Sequence, residues 1–397
     1  MASTAALVAA QAIPDGGLTA PAGAPRRPHT VSWDDAPPAR PMWRRVTQPH
    51  INRIATAVPR NEVHGAFRRF ADKQIGDART RTAFARLADK SQIDTRFSVL
   101  EADAEDYGTT DGFYRLERFP STGARMARFE AEAPALAEAA CDALGMAEEG
   151  PRITHLILAT CTGFAAPGLD HWLIGRYGLP GHVERTIVGF MGCQAAINAL
   201  KLARQAVRSD PAARVLVVNL ELCSLHLQPS MELDQLMCFL LFADGCSAAL
   251  VTAEQEGLRM DGFRAALMPE ARDHITWRIG DGGFDMTLSG LVPLTLARAL
   301  PDHAEAILDG AAPEGIALWA VHPGGRSVLD AVEHGLELPQ GALAESRGVL
   351  REHGNMSSAT VMFVLQRMMA AATTGQRGCA LAFGPGLSAE TMRFTAV

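Results

Sequence analysis

Apolar and polar positions alternate in blocks along this chain, and the blocks change period. His155-Leu156-Ile157-Leu158-Ala159-Thr160 and Ala213-Arg214-Val215-Leu216-Val217-Val218-Asn219-Leu220 are short, nearly continuous apolar runs. Such runs predict strands of a sheet covered on both faces. Arg128 to Leu144 carries apolar residues at helical spacing, and so do Gly325 to Leu336 and Ser357 to Ala372. Arg185-Thr186-Ile187-Val188, Leu318-Trp319-Ala320-Val321 and Cys379-Ala380-Leu381-Ala382-Phe383 read as further short strands. Strand, glycine turn and helix therefore recur in both parts of the chain, and that recurrence predicts an α/β fold of two similar halves.

Three polar residues fall where these elements end. Cys193, in Gly189-Phe190-Met191-Gly192-Cys193-Gln194-Ala195-Ala196, sits between a strand and a helix running on through Lys201-Leu202-Ala203. A helix N-terminus favours a thiolate, the reactive form of cysteine. A plain core cysteine is the competing reading. His322, in Val321-His322-Pro323-Gly324-Gly325, follows an apolar strand, and Asn355, in His353-Gly354-Asn355-Met356-Ser357-Ser358-Ala359, precedes a helix. Element edges are where function concentrates.

Composition narrows the class. The chain has 397 residues, 48% of them hydrophobic and 20% charged, with a formal net charge of -7. This describes a globular protein too long for one compact core, and it gives no reason to expect a nucleic-acid partner. The seven cysteines include no C-x-x-C pair, which argues against structural zinc and a disulfide framework and fits a reducing cytoplasm. No run approaches the ~20 apolar residues of a membrane span. The Ala5 to Ala10 run lacks a charged n-region, so no secretory signal is expected. Residues 1–45, rich in Ala, Pro and Gly, are expected to form a flexible leader.

Cys193 in GFMGCQAA, His322 in VHPGG, Asn355 in GNMSSA and the closing Phe383-Gly384-Pro385-Gly386 together resemble the type III polyketide synthases, the chalcone synthase-like members of the thiolase superfamily. The resemblance runs from about residue 50 to the C-terminus. It implies a layered α-β-α-β-α thiolase-like fold, with an N-terminal half at 46–255 carrying the nucleophile and a C-terminal half at 256–397 carrying His322 and Asn355. It also implies an acyltransferase that loads an acyl-CoA starter on Cys193 and extends it with malonyl-CoA, needs no cofactor beyond these thioesters, and works as a homodimer. Ile51 to Pro59 resembles the family's first strand. Ala382 replaces the first glycine of its closing loop.

The same resemblance nominates further residues. Phe242, in Leu241-Phe242-Ala243-Asp244-Gly245, matches a gate between coenzyme A tunnel and reaction cavity, although a phenylalanine at a strand edge is also ordinary packing. Met286 aligns with a second gate, and a slimmer side chain there suits longer acyl chains. Thr162, Ser357, Gly384 and Pro385 are expected at the cavity. Cys223 is expected either to set pocket size or to serve as a second thiol, and His226 either lines the same wall or is a plain loop residue. On the charged helix Ala78 to Lys90, Arg86 and Lys90 match the basic groups that hold coenzyme A phosphates, with Gly324 and Gly325 nearby. The third basic position is Ala83, for which Arg79 or Arg81 would substitute; a solvated amphipathic face is the bland alternative. Ala166 stands where relatives carry an interface methionine.

Asparagine as third member sets the chain apart from thiolases and elongating ketosynthases. Two competing readings stay open: a ketoacyl synthase III, whose histidine context usually reads H-Q-A-N, and a non-catalytic thiolase-fold subunit.

Overall fold

A computed structural model describes residues 47–397 apart from 104–107, 116–117 and 231. The expected leader at 1–45 lies outside the described residues. Strand β1 (His50–Ala57) is followed by β2 (Asn61–Glu62), α1 (His64–Gln74), α2 (Ala78–Lys90), β3 (Phe97–Ser98), the long α3 (Thr122–Leu144) and the single turn α4 (Met146–Glu149). Next come β4 (His155–Thr160), α5 (Leu169–Tyr177), β5 (Glu184–Gly189), α6 (Ala195–Ser209), β6 (Val215–Leu222), α7 (Leu233–Leu241) and β7 (Asp244–Thr252). After β8 (Leu258–Ala266) the chain forms the hairpin β9 (Ile275–Gly280) and β10 (Gly283–Leu288), then α8 (Val292–Leu308) and β11 (Leu318–Val321). It closes with α9 (Arg326–Gly335), α10 (Ala344–His353), α11 (Thr360–Ala371), β12 (Arg377–Gly384) and β13 (Ser388–Ala396).

Nine strands form one sheet in the order β11-β12-β13-β8-β1-β7-β6-β4-β5. In each part the opening strand pairs antiparallel with the closing one, β1 with β7 and β8 with β13. Each closing strand lies antiparallel to a strand that has a parallel neighbour, β6 beside β4 and β12 beside β11. Apart from β5, the order and directions thus repeat, in keeping with the recurrence of strand, turn and helix along the chain. Within the sheet the parts meet at β1 and β8, through His50 with Arg259 and Ile51 with Leu258.

Strand alternation sorts side chains into layers. Ile157, Ala159, Val215 and Val217 point to one face of the first part, against α6 and α11. Leu156, Leu158, Leu216 and Val218 point to the other, against α3. On the second part α11 covers the inner face, with Ala320 and Ala380, while α8 and α9 cover Trp319, Val321 and Leu381 outside. The resulting order is helix, sheet, helix, sheet, helix. The middle layer is built of small and branched residues, Ala195, Ala196, Ile197, Ala199, Leu200 and Ala203 from α6 and Val361 to Leu365 from α11, so two sheets can close on it. No helix among the described residues is long and apolar enough to cross a membrane.

Leu200 is fully buried in that layer, and Leu202, two residues on, is 37% exposed. Leu200→Ala is expected to destabilise the protein by about 2–5 kcal/mol, with Leu202→Ala close to neutral. Urea denaturation of the two variants checks this.

Candidate active site

β5 ends at Gly189, and the chain reverses through Phe190 at φ +57 and Gly192 at φ +68 before α6. Gly192 admits no side chain, since a Cβ there would lie 2.3 Å from Pro385 Cδ. Its N–H donates to Cys161 Sγ at 3.1 Å, fixing the turn that presents Cys193. His322 follows β11 directly; its backbone N–H donates to Leu381 O at 2.7 Å, and neither ring nitrogen has a partner. Asn355 precedes α11. Its Oδ1 accepts from Ser357 N at 2.9 Å and from Thr360 Oγ1 at 3.5 Å, while Nδ2 donates to Gly324 O at 3.3 Å. Because Oδ1 is held, the amide cannot flip, and one N–H remains for the cavity.

Cys193, His322 and Asn355 line one cavity of about 690 Å³. Thr162, Ser357, Gly384 and Pro385 line it too, as do Cys223, Phe242, Met286 and Gly324. Gly325 does not; it packs against Leu241. Burial pushes the Cys193 thiol up to about 12, against hydrogen bonds from the Ser357 and Asn355 side chains, and pushes His322 down to about 3. Desolvation in this cavity thus opposes the thiolate that a helix N-terminus favours.

Phe242 is joined to the site through the backbone. It forms a parallel bridge with Asn355, whose N–H donates to Leu241 O at 2.8 Å and whose carbonyl accepts from Ala243 N at 2.9 Å. Phe242 and Cys223 also line a second cavity of about 710 Å³, walled by Phe67 and Phe70 of α1 with Leu100 and Tyr114. Burial holds Cys223 as a thiol.

His226 does not line the reaction cavity. Its Nδ1 accepts from Phe284 N at 3.1 Å, which places the proton on Nε2, and Nε2 donates to Thr162 O at 2.7 Å. The ring stacks on Phe284 at 4.2 Å, and Trp277 Nε1 donates to Cys161 O at 2.9 Å. Together they clamp the hairpin carrying Met286 to the loop after β4.

Arg86 and Lys90 stand exposed on α2 and line neither cavity. Arg81 does not replace the basic group lost at Ala83, because its guanidinium caps α1 by donating to Asp72 O at 3.2 Å and Ile75 O at 2.6 Å. Arg79 is exposed on the same helix. Two residues that drew no functional reading from the sequence matter here. One is Arg96, beneath Phe242. The other is Glu221, fully buried, which accepts from Cys161 N and Thr162 Oγ1, both at 2.9 Å, and from Ser358 Oγ at 2.5 Å. A lone carboxylate in the apolar β6 was the available signal.

Burial pushes Glu221 up to about 7 from an ordinary value near 4.5, against those three donors. The folded chain then binds this proton more tightly than the unfolded one, so the contribution lowers stability as pH rises between those values. Glu221→Gln cannot ionise. Its melting temperature is expected to gain on wild type from about pH 5 to about pH 8, by a margin worth roughly 3 kcal/mol, and then hold level. Calorimetry across that range checks the sign.

With this geometry in place, comparison with known proteins is informative. Residues 50–255 match the N-terminal domain of chalcone and stilbene synthases, and residues 262–397 match the C-terminal domain. The "alpha-pyrone synthesis polyketide synthase-like Pks18" of Mycobacterium tuberculosis is 33% identical over 95% of this chain and 98% of its own. PKS-I from the brown alga Ectocarpus siliculosus superimposes with a TM-score of 0.79 at 30% identity, over 88% of this chain and 98% of that one. The bacterial 1,3,6,8-tetrahydroxynaphthalene synthase from Streptomyces coelicolor A3(2) gives 0.77 at 28%, over 87% and 99%. The chain belongs to the chalcone and stilbene synthase family: it is a type III polyketide synthase, an acyltransferase-type condensing enzyme of thiolase-like fold.

Proposed function

We propose that the enzyme condenses malonyl-CoA repeatedly onto an acyl group carried by Cys193 and cyclises the product to a pyrone, resorcinol or related aromatic. The supporting observation is convergence: three element edges bring a thiol, an imidazole with both nitrogens uncommitted and an orientation-locked amide to one cavity. The Cys193 sulfur attacks the starter thioester as His322 takes its proton; the carbon–sulfur bond to coenzyme A breaks, and the departing thiolate receives that proton. Neutral His322 then offers an N–H, beside that of Asn355, to the thioester oxygen of malonyl-CoA. As carbon dioxide leaves, these donors stabilise the enolate. Its carbon attacks the acyl-Cys193 carbonyl, a carbon–carbon bond forms as the carbon–sulfur bond to Cys193 breaks, and the released thiolate takes a proton from water. Decarboxylation supplies the carbanion, so these steps call on no cofactor.

An aliphatic starter is favoured by the second cavity, which adjoins the first across Cys223 and Phe242 and is walled by aromatic and aliphatic groups. Met286 gives way more readily than a ring at the opposite wall. The mycobacterial relative's association with alpha-pyrone synthesis agrees with a pyrone product. Arg86 and Lys90 are proposed to hold coenzyme A phosphates from the surface of α2, with Gly324 and Gly325 beside the pantetheine arm. The seven cysteines are all free, which suits a cytoplasmic enzyme.

A second copy of the chain is proposed to cover β5. This strand ends the nine-stranded sheet with one side unpaired, its residue Ile187 is 46% exposed, and Phe164, Ala166 and Met191 lie open on the neighbouring turns. An exposed edge with apolar flanks is a pairing surface.

Mass spectrometry after incubation with malonyl-CoA and a series of acyl-CoA starters should detect pyrones or resorcinols that disappear in Cys193→Ala. Cys223→Leu should shift preference toward short starters by about tenfold, the equivalent of ~1.4 kcal/mol. A single-extension product on acyl carrier protein would point to ketoacyl synthase III chemistry instead, and no product from any starter to a non-catalytic subunit. Light scattering should give twice the chain mass for wild type and the monomer mass for Ile187→Lys combined with Met191→Lys.

A further inference from the structure

Arg96 lies against the second cavity and is only 3% exposed, yet among the described residues its guanidinium makes no direct ion pair; Glu62 and Asp244 act on its charge from farther off, and Nη2 is without a partner. Its partners are carbonyls and an imidazole. Nη1 donates to Phe239 O at 2.7 Å and also to Phe242 O, while Nε donates to His64 Nδ1 at 3.1 Å. Phe239 belongs to the last turn of α7, where carbonyls lack intrahelical donors and the helix dipole is negative. At the same terminus the Asn355 backbone N–H donates to Leu241 O, and the Phe242 N–H donates to Cys238 O. One buried cation and the backbone of one site residue therefore cap the same helix end. Opposite, Gly354 leaves room for the arginine stem: a Cβ there would lie 2.8 Å from both Arg96 Cγ and Leu241 O.

We propose that Arg96 is a positioning residue that locks Phe242 and Asn355 into one unit. The guanidinium fixes the carbonyls of Phe239 and Phe242, and Ala243 N and Leu241 O fix the backbone of Asn355 on both sides. Loosening this helix end displaces the amide that faces malonyl-CoA, while the Cys193 turn, held separately through Cys161 Sγ and Pro385, stays in place. Acyl loading and decarboxylation thereby draw on partly different supports, the bond from the Asn355 side chain to the Cys193 thiol being what they share.

This inference rests on the reading of Asn355 as an enolate-stabilising donor, and the test separates the two. Acylation of Cys193 by hexanoyl-CoA, followed by intact mass, and release of carbon dioxide from malonyl-CoA are measured on wild type, Arg96→Met, Arg96→Lys and Asn355→Ala, each with a melting curve. In Arg96→Met, decarboxylation should fall on the order of 10–100-fold with acylation within about threefold of wild type. Arg96→Lys should lie between, because an ammonium point charge cannot span two carbonyls and an imidazole as a guanidinium does. Equal loss of both steps in Arg96→Met, or no loss of either, overturns the proposal. Should Arg96→Met fail to fold, His64→Phe, which removes only the Nε partner, must show the same split at smaller size; unchanged decarboxylation there overturns it. Asn355→Ala that decarboxylates normally would remove the role assigned to Asn355 rather than the link from Arg96.

Discussion

Everything near the cavity depends on one packing constraint: the inner faces of two helices, α6 and α11, must be buried together between the two parts of the sheet. Alanine at 195, 196, 199 and 203 makes α6 slim enough for this, and the first turns of α11, from Val361 to Leu365, are buried all round. Both helices begin at the cavity, one after the turn of Cys193 and the other after the turn of Asn355. Their N-termini therefore bring positive dipole ends to the place where a negative oxygen would develop. The same burial removes water from the thiol and the imidazole, which disfavours the charged form of each.

Around this pair the walls are held by polar links in dry surroundings. Glu221 ties the loop after β4 to Ser358 at the start of α11, and His226 ties that loop to the hairpin bearing Met286. In a low-dielectric interior, a satisfied link of this kind orients strongly, and a broken one leaves a buried group without a partner. The cavity is thus shaped by apolar side chains and kept in register by a few carboxyl, imidazole and guanidinium contacts.

The sequence was informative where a single local rule decides. The apolar runs of β4 and β6 have both faces covered, and α2 occupies the span of its charged helical pattern, Ala78–Lys90. The elements flanking Cys193, His322 and Asn355 were legible for the same reason, since strand and helix ends carry glycine and proline. β8 and β13 were missed because their polar residues interrupt the apolar positions, with Arg259, Asp261 and Arg264 in one and Glu390 and Arg393 in the other. Pro301 inside α8 hid a helix, and the hairpin of β9 and β10 mixes charge with aromatic groups. Contacts made across long sequence separations were out of reach. The hold of Arg96 on Phe242 is not encoded in spacing.

The seam between β1 and β8 consists of two residue pairs, whereas β1 and β7 pair along nearly their whole length. Cys193 stands on one side of that seam, and His322 and Asn355 on the other. The narrow seam is not what unites the parts: α6 and α11 share one apolar core, so the thiol, the imidazole and the amide meet at one cavity only when both parts are folded against each other.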